Sequence, residues 1–293
     1  MGDFEGILPR TGTRLMARLA VRLTGTAALC LVLAACQTSD IYSNVPIDRA
    51  AGSSANIDSL SAVIQSNPRD ASAYNTRGIA FGQAGRLDKA MEDFNAALKL
   101  DPNSYQAFAN RALVERRRGN MPNAIADYDR ALRINPAYDT ALIGRGNTYR
   151  LMGRYNEALR DFDEAIRRNS YDARAFHNRG LIYQAQGQHT FAIEDFSTAI
   201  VLNPKAEEPY TARGISYLKI NDPAAGLADL SEAVNLDKNS AMAWAGRGVA
   251  LEMQGKYTDA VRSYNRALGL DSNNDLAREG LGRAQRAQQT ASR

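Results

Sequence analysis

Among 293 residues there are only two cysteines, two histidines and one tryptophan. Cys30 and Cys36 both lie upstream of the regularly patterned part of the chain, which excludes a disulfide framework or a cysteine-based zinc site from that part. With only His177 and His189 present, a histidine-rich metal centre is excluded as well. No serine or cysteine nucleophile stands with a placed histidine, and no glycine-rich phosphate loop follows a strand-like run. Catalytic residues, metal ligands and cofactors therefore have no candidates, and a hydrolase is the weakest of the functional classes. Excess charge is scarce too. Lys and Arg number 36 against 32 Asp and Glu, a net +4, and residues 1–35 contribute half of it through four arginines against Asp3 and Glu5. That balance gives no support to nucleic-acid binding.

Near the N-terminus, Arg10, Arg14, Arg18 and Arg22 lead into the apolar run "LTGTAALCLVLAAC" and the polar "QTSD". The run has 14 residues, short of the roughly 20 that a spanning helix needs, so the layout is that of a signal peptide. Leu33-Ala34-Ala35-Cys36 resembles the lipobox of bacterial lipoproteins. The resemblance implies removal of residues 1–35, lipidation of Cys36 and membrane attachment through acyl chains, several of which hold a protein stably where one does not. An ordinary secretory signal is the alternative. Translation from Met16 instead of Met1 would give a more compact signal. Gln37 in place of an aspartate implies, by the same resemblance, the outer membrane, with the protein facing the periplasm. Residues 36–56 include Pro46, Gly52 and paired serines, and read as a flexible tether reaching on the order of 25 Å.

Beyond the tether an arginine recurs every 34 residues, at Arg77, Arg111, Arg145, Arg179, Arg213 and Arg247. Glycine follows all but Arg111, which precedes Ala112. Six units begin at Ala71, Tyr105, Asp139, Ala173, Glu207 and Ala241 and run without insertion to residue 274. In each, the fourth position is large and apolar (Tyr74, Phe108, Leu142, Phe176, Tyr210, Trp244). Small and often aromatic residues follow four and seven places on, which is helical spacing. A loop glycine such as Gly187 then precedes a second periodic run with a small residue (Ala192), an aromatic four later (Phe196) and an alanine three beyond (Ala199). "AWAGRGVALEMQGKYTDAVRSYNRAL" resembles the tetratricopeptide repeat, with arginine where that pattern has leucine before the glycine.

The resemblance implies an all-α, right-handed superhelical solenoid of six helix pairs, residues 71–104, 105–138, 139–172, 173–206, 207–240 and 241–274. Residues 57–70 match the second half of a repeat and are expected to cap one end, and 275–293 to cap the other before fraying from Thr290. The fifth unit departs most, with Asn221, Gly226, Leu230 and Lys238 at patterned positions, and is expected to be the loosest.

An arginine at the edge of an apolar seam needs a counter-charge. Position 23 supplies aspartate in five units, Asp93, Asp127, Asp161, Asp195 and Asp229, and Ser263 in the sixth. Pairing within a repeat orphans Arg247; pairing with the preceding repeat orphans Arg77. A stripe that reads an anionic ligand is the functional alternative.

The family resemblance places partners on a concave face lined by first helices. Its ligand-facing positions map to Asn75, Ile79, Arg116, Arg117, Asn147, Arg150, His177, Gln184, Thr211, Lys219 and Glu252. A mixed polar and basic groove of that kind suits an extended peptide or the acidic end of a protein. Among tetratricopeptide lipoproteins the layout is most similar to the NlpI type, which implies docking of peptidoglycan hydrolases and the protease that degrades them. An assembly factor, or pilotin, for an outer-membrane secretin or pilus machine fits the same layout. Partners are thus expected to be envelope proteins or peptides, with membrane contact through lipid and none with nucleic acid. The oligomeric state is left open.

Overall fold

The computed structural model describes residues 52–169 and 171–291. The signal, Cys36 and nearly all of the tether lie outside the described residues. Fourteen helices and no strand occur among those residues. The first, α1, runs Ser54–Ser66 and starts inside the stretch read as tether, because Ser53 caps it by accepting from the Asn56 amide. Six first helices follow, α2 (Ala71–Gln83), α4 (Tyr105–Arg117), α6 (Asp139–Leu151), α8 (Ala173–Ala185), α10 (Glu207–Lys219) and α12 (Ala241–Met253). They alternate with the second helices α3 (Leu87–Leu100), α5 (Met121–Ile134), α7 (Tyr155–Arg168), α9 (His189–Leu202), α11 (Pro223–Leu236) and α13 (Tyr257–Leu270). The last, α14, runs Asp275–Ala291. It carries on through Thr290, whose hydroxyl donates back to the Arg286 and Ala287 carbonyls.

Each first helix begins at position 1 of its unit, and Asp70, Ser104, Asp172 and Ser240 cap four of them through their side chains. Each also ends the same way. In α2 the Arg86 amide donates to the Phe81 carbonyl and the Gly85 amide to that of Gly82, the paired bonds of a Schellman cap. That cap needs a left-handed residue, and Gly85, Gly119, Gly153, Gly187 and Gly255 take φ of 72–81°. Asn221 does the same work in the fifth unit at φ 63°.

The two helices of a unit meet where position 8 faces position 24. A methyl added at Gly180 would come within 2.7 Å of the Phe196 ring, and one at Gly146 within 2.8 Å of Phe162, so glycine is required by close approach. Tyr128 and Tyr264 need more room, and their hydroxyls sit against Gly144 and Gly280 of the following helix, where an added methyl would lie 2.6 Å from each oxygen. Gly280 therefore marks α14 as a seventh first helix, docked through Ala277 and Ala284, with no second helix following it among the described residues. First helices of successive units touch one another directly, whereas each second helix contacts mainly the first helices on either side. The stack consequently curves with its first helices inside.

Candidate interaction surface

The position-7 arginines lie at the seam between units. Arg179 donates from Nε and Nη2 to the two carboxylate oxygens of Asp195, at 2.9 and 2.8 Å, and from Nη1 to Asp163 of the preceding unit at 2.7 Å. The same fork joins Arg77 to Asp93, Arg111 to Asp127, Arg145 to Asp161 and Arg213 to Asp229. Of the two pairings open in the sequence, the aspartate fork is made within the repeat. The third donor reaches back to position 25 of the preceding second helix: Ser61, Asn95, Asp129, Asp163 or Ser197. Every link therefore ties three helices together. Arg247 is the exception, and among the described residues it hydrogen-bonds only to Ser231 and Ser263. The Asp195 bond outweighs burial at Arg179 and holds its guanidinium above its ordinary value, while burial outweighs the fork at Asp195 and raises its carboxyl. A guanidinium keeps its proton in either case.

Aromatic rings cover the seam. The Arg179 guanidinium carbon lies 5.8 Å from the Phe176 ring and 5.9 Å from that of Tyr183, so an arginine at the edge of an apolar seam is held between rings and carboxylates.

The inner face is less polar and less open than the sequence implied. Arg116, Asn147, His177, Gln184 and Thr211 are all buried. All but Asn147, which stands at position 9, point along the stack, since positions 5 and 12 face the neighbouring first helix. Gln184 donates to the Ala212 carbonyl and to Ser216 on α10. Asn75 accepts from Asn110 on α4, and Arg117 donates to the Gly82 carbonyl on α2. Arg150 donates to Asn147 one turn back. Glu252 is engaged by the C-terminal cap, accepting from Arg283 at 2.8 Å and from the Tyr264 hydroxyl at 2.6 Å. Of the residues assigned to the groove, Ile79 and Lys219 alone are exposed.

Each first helix leaves open a strip through positions 2, 9 and 13. Its centre is apolar: Ile79, Leu113, Leu181, Ile215 and Val249 are exposed or half-buried, and Asn147 interrupts them. Apart from Ile79 these residues were missed in the sequence, although each stands directly after the residue that follows the arginine, every 34 places. Around Asn147 the face holds polar groups without partners. His177, packed against Phe196 with ring centroids 5.6 Å apart, has a buried Nδ1 that bonds to no group among the described residues, and the same holds for Asn178 Oδ1. Burial, assisted by the Arg150 charge, pushes His177 down to about 3. Among the described residues no group of side chains could hold a metal ion, and no helix is long and apolar enough to cross a membrane.

A repeated helix pair with small residues at the close contacts, stacked into a solenoid, defines a class of fold, and the sequence comparisons name it. A tetratricopeptide repeat profile matches residues 57–105, 75–139, 211–275 and 254–292, a TPR repeat profile matches 146–187, and a further tetratricopeptide repeat profile matches 173–206. The chain belongs to the tetratricopeptide repeat family. No curated protein matches it significantly. Among solved structures it is similar to a chain of the APC/C hetero-tetramer Cut9-Hcn1, at 18% identity and TM-score 0.72, covering 83% of this chain but only 50% of that one. It also resembles pilF of Pseudomonas aeruginosa, at 21% identity and TM-score 0.66 over 73% of this chain and 98% of that one. YrrB, described as a TPR protein with an unusual peptide-binding site, matches at 22% identity and TM-score 0.52 over 64% and 97% of the two chains. At such identities the likeness concerns the fold.

Proposed function

We propose that this protein is a non-enzymatic interaction scaffold, tethered to the cell envelope by lipid on Cys36, that takes an extended segment of a partner along its first helices. The observation that carries the reading is the open strip on those helices. Five apolar side chains at one repeated position, broken only at Asn147 and with polar flanks such as Gln106, Thr140 and Lys219, offer anchoring contacts for side chains of an extended peptide. The fold is consistent with protein–protein interaction. A peptide-binding site is described for YrrB, and the signal-like run, the lipobox resemblance and the tether support an envelope address. The NlpI-like layout adds the expectation that peptidoglycan hydrolases and a protease are among the partners, on the periplasmic side of the outer membrane.

Affinity capture from detergent-solubilised envelopes tests the reading, with the wild type beside an Ile79→Asp, Ile215→Asp variant. Cell-wall hydrolases captured by the wild type and lost from the variant, at unchanged melting temperature, support the scaffold. A secretin or pilus component captured in their place selects the assembly-factor reading. An identical set of proteins from both would remove the inner strip from the account. Cys36→Ser should release the protein from the membrane fraction, and unaltered retention would contradict the anchor.

A further inference from the structure

The seam of the sixth unit differs from all the others in a way that packing does not explain. Beside Arg145 and Arg179 two carboxylates converge, and the outer one, Asp129 or Asp163, faces solvent with its side chain 38% or 51% exposed. Beside Arg247 both places hold serine. Nη1 donates to Ser263 Oγ at 2.8 Å and Nε to Ser231 Oγ at 3.3 Å, while Nη2 donates to no group among the described residues. Ser263 donates its own hydroxyl hydrogen bond to the Asp259 carbonyl. No carboxylate among the described residues pairs with Arg247, and the guanidinium cannot shed its charge. Ser231 is only partly buried, and its hydroxyl stops one bond short of the reach of an aspartate oxygen. One wall is Trp244, whose ring lies 5.6 Å from the guanidinium carbon.

From this geometry we propose that Arg247, Ser231 and Trp244 form a carboxylate-binding site at the outer seam between the fifth and sixth units. The ligand supplies from outside the group that Asp129 and Asp163 supply from within. A planar carboxylate matches the free edge of the guanidinium, and the place it would take is the solvent-facing one. This site lies at the seam and is independent of the inner strip. Its ligand comes either from a free carboxylate solute or from an acidic side chain of a bound protein, the chemistry being the same.

Trp244 is the only tryptophan in the chain, so its emission reports the site directly. The detergent-solubilised full chain is titrated with sodium acetate in exchange for chloride at constant ionic strength. A second titration uses a blocked Ala-Glu-Ala-Glu-Ala peptide, with its glutamine counterpart as control. A saturable change in Trp244 emission with acetate or the glutamate peptide, absent with the glutamine peptide, is expected of the wild type. Ser231→Asp, which carries its own carboxylate into the place, should abolish the response, as should Arg247→Gln. Half-saturation by the peptide at a concentration tenfold or more below that of acetate assigns the site to a protein partner, and equal values assign it to a free carboxylate. A wild type without any saturable response, or a Ser231→Asp variant that responds as the wild type does, overturns the proposal. Since Ser231→Asp adds a charge on a partly exposed side chain, the test does not depend on Arg247→Gln folding normally.

Discussion

Arg179 and Arg247 stand at the same position of units four and six, and the molecule treats their charges differently. Around Arg179 three hydrogen bonds run to two carboxylates, and around Arg247 two run to serine hydroxyls. His177, on the same helix as Arg179 and two residues before it, shows the third outcome: buried beside the Arg150 charge, with no carboxylate against it among the described residues, it stays neutral. A cation in this stack is thus neutralised by a partner, suppressed by losing its proton, or, where the group is a guanidinium without a carboxylate, left available to something outside. The repeat fixes where the charge stands, and the neighbours one helix away decide its fate.

The comparison breaks most readily at its charged end. Asp195→Ala leaves Arg179, 21% exposed, with Asp163 alone. The expected loss in urea unfolding is about 3 kcal/mol, at the low end for stripping one partner from a buried pair because a second carboxylate remains. Ser263→Ala beside Arg247 removes a single hydrogen bond and should cost about 1 kcal/mol. Equal losses would mean that the carboxylates add nothing to the seam beyond shape.

His177 sharpens the contrast through pH. The folded state holds it neutral down to about 3, whereas the unfolded chain takes up a proton near the ordinary 6.5. Its effect is therefore nil above pH 6.5 and grows more destabilising as pH falls, until both states are protonated near pH 3. The slope is about 1.4 kcal/mol per pH unit, or roughly 2 kcal/mol between pH 6.5 and 5. Unfolding curves of His177→Gln over that interval should lack this slope. A variant as acid-sensitive as the wild type would place the sensitivity elsewhere.

Supplying the missing partner should work in the opposite direction. Ser263→Asp restores at Arg247 the fork that the other five units make, and a gain of about 1 kcal/mol is expected from the charge-assisted pair. A loss would show that the sixth seam has repacked around serine, with the guanidinium drawn toward Ser263 Oγ at 2.8 Å, too closely to admit a carboxylate.

Much of this architecture was legible as periodicity. The 34-residue spacing sets the start of every first helix, because the small residues and loop signals that define a helix pair are local and recur with it, side-chain caps joining them in four units. The arginine–aspartate partnership was readable up to one ambiguity, own repeat or preceding repeat, since both partners carry sequence signals. The third contact of each arginine, to position 25, was not: Ser61, Asn95, Asp129, Asp163 and Ser197 share a place and an accepting oxygen but no single residue type. Nor was the state of the inner face. Whether His177 or Gln184 meets solvent depends on how closely adjacent first helices approach, a distance set by small residues on helices of other repeats. Tyr128 illustrates the same coupling, since its hydroxyl is accommodated by Gly144 in the next unit.

The mildest test concerns the fifth unit, whose departures from the pattern lead one to expect the lowest local stability. Its loop residue Asn221 adopts φ 63°, where the other five units use glycine. Asparagine tolerates the left-handed region better than most residues, yet its Cβ still carries a penalty there that glycine avoids. Part of that gain is returned through the greater freedom of glycine in the unfolded chain. Asn221→Gly should thus stabilise by about 0.5 kcal/mol, read as slower amide exchange in α10 and α11 and little change in the other helices. If exchange there is unaltered, the loop is not what sets this unit apart. The cause would then be Gly226, which stands where the other units carry alanine and approaches α10 so closely that an added methyl would lie 2.7 Å from Leu218.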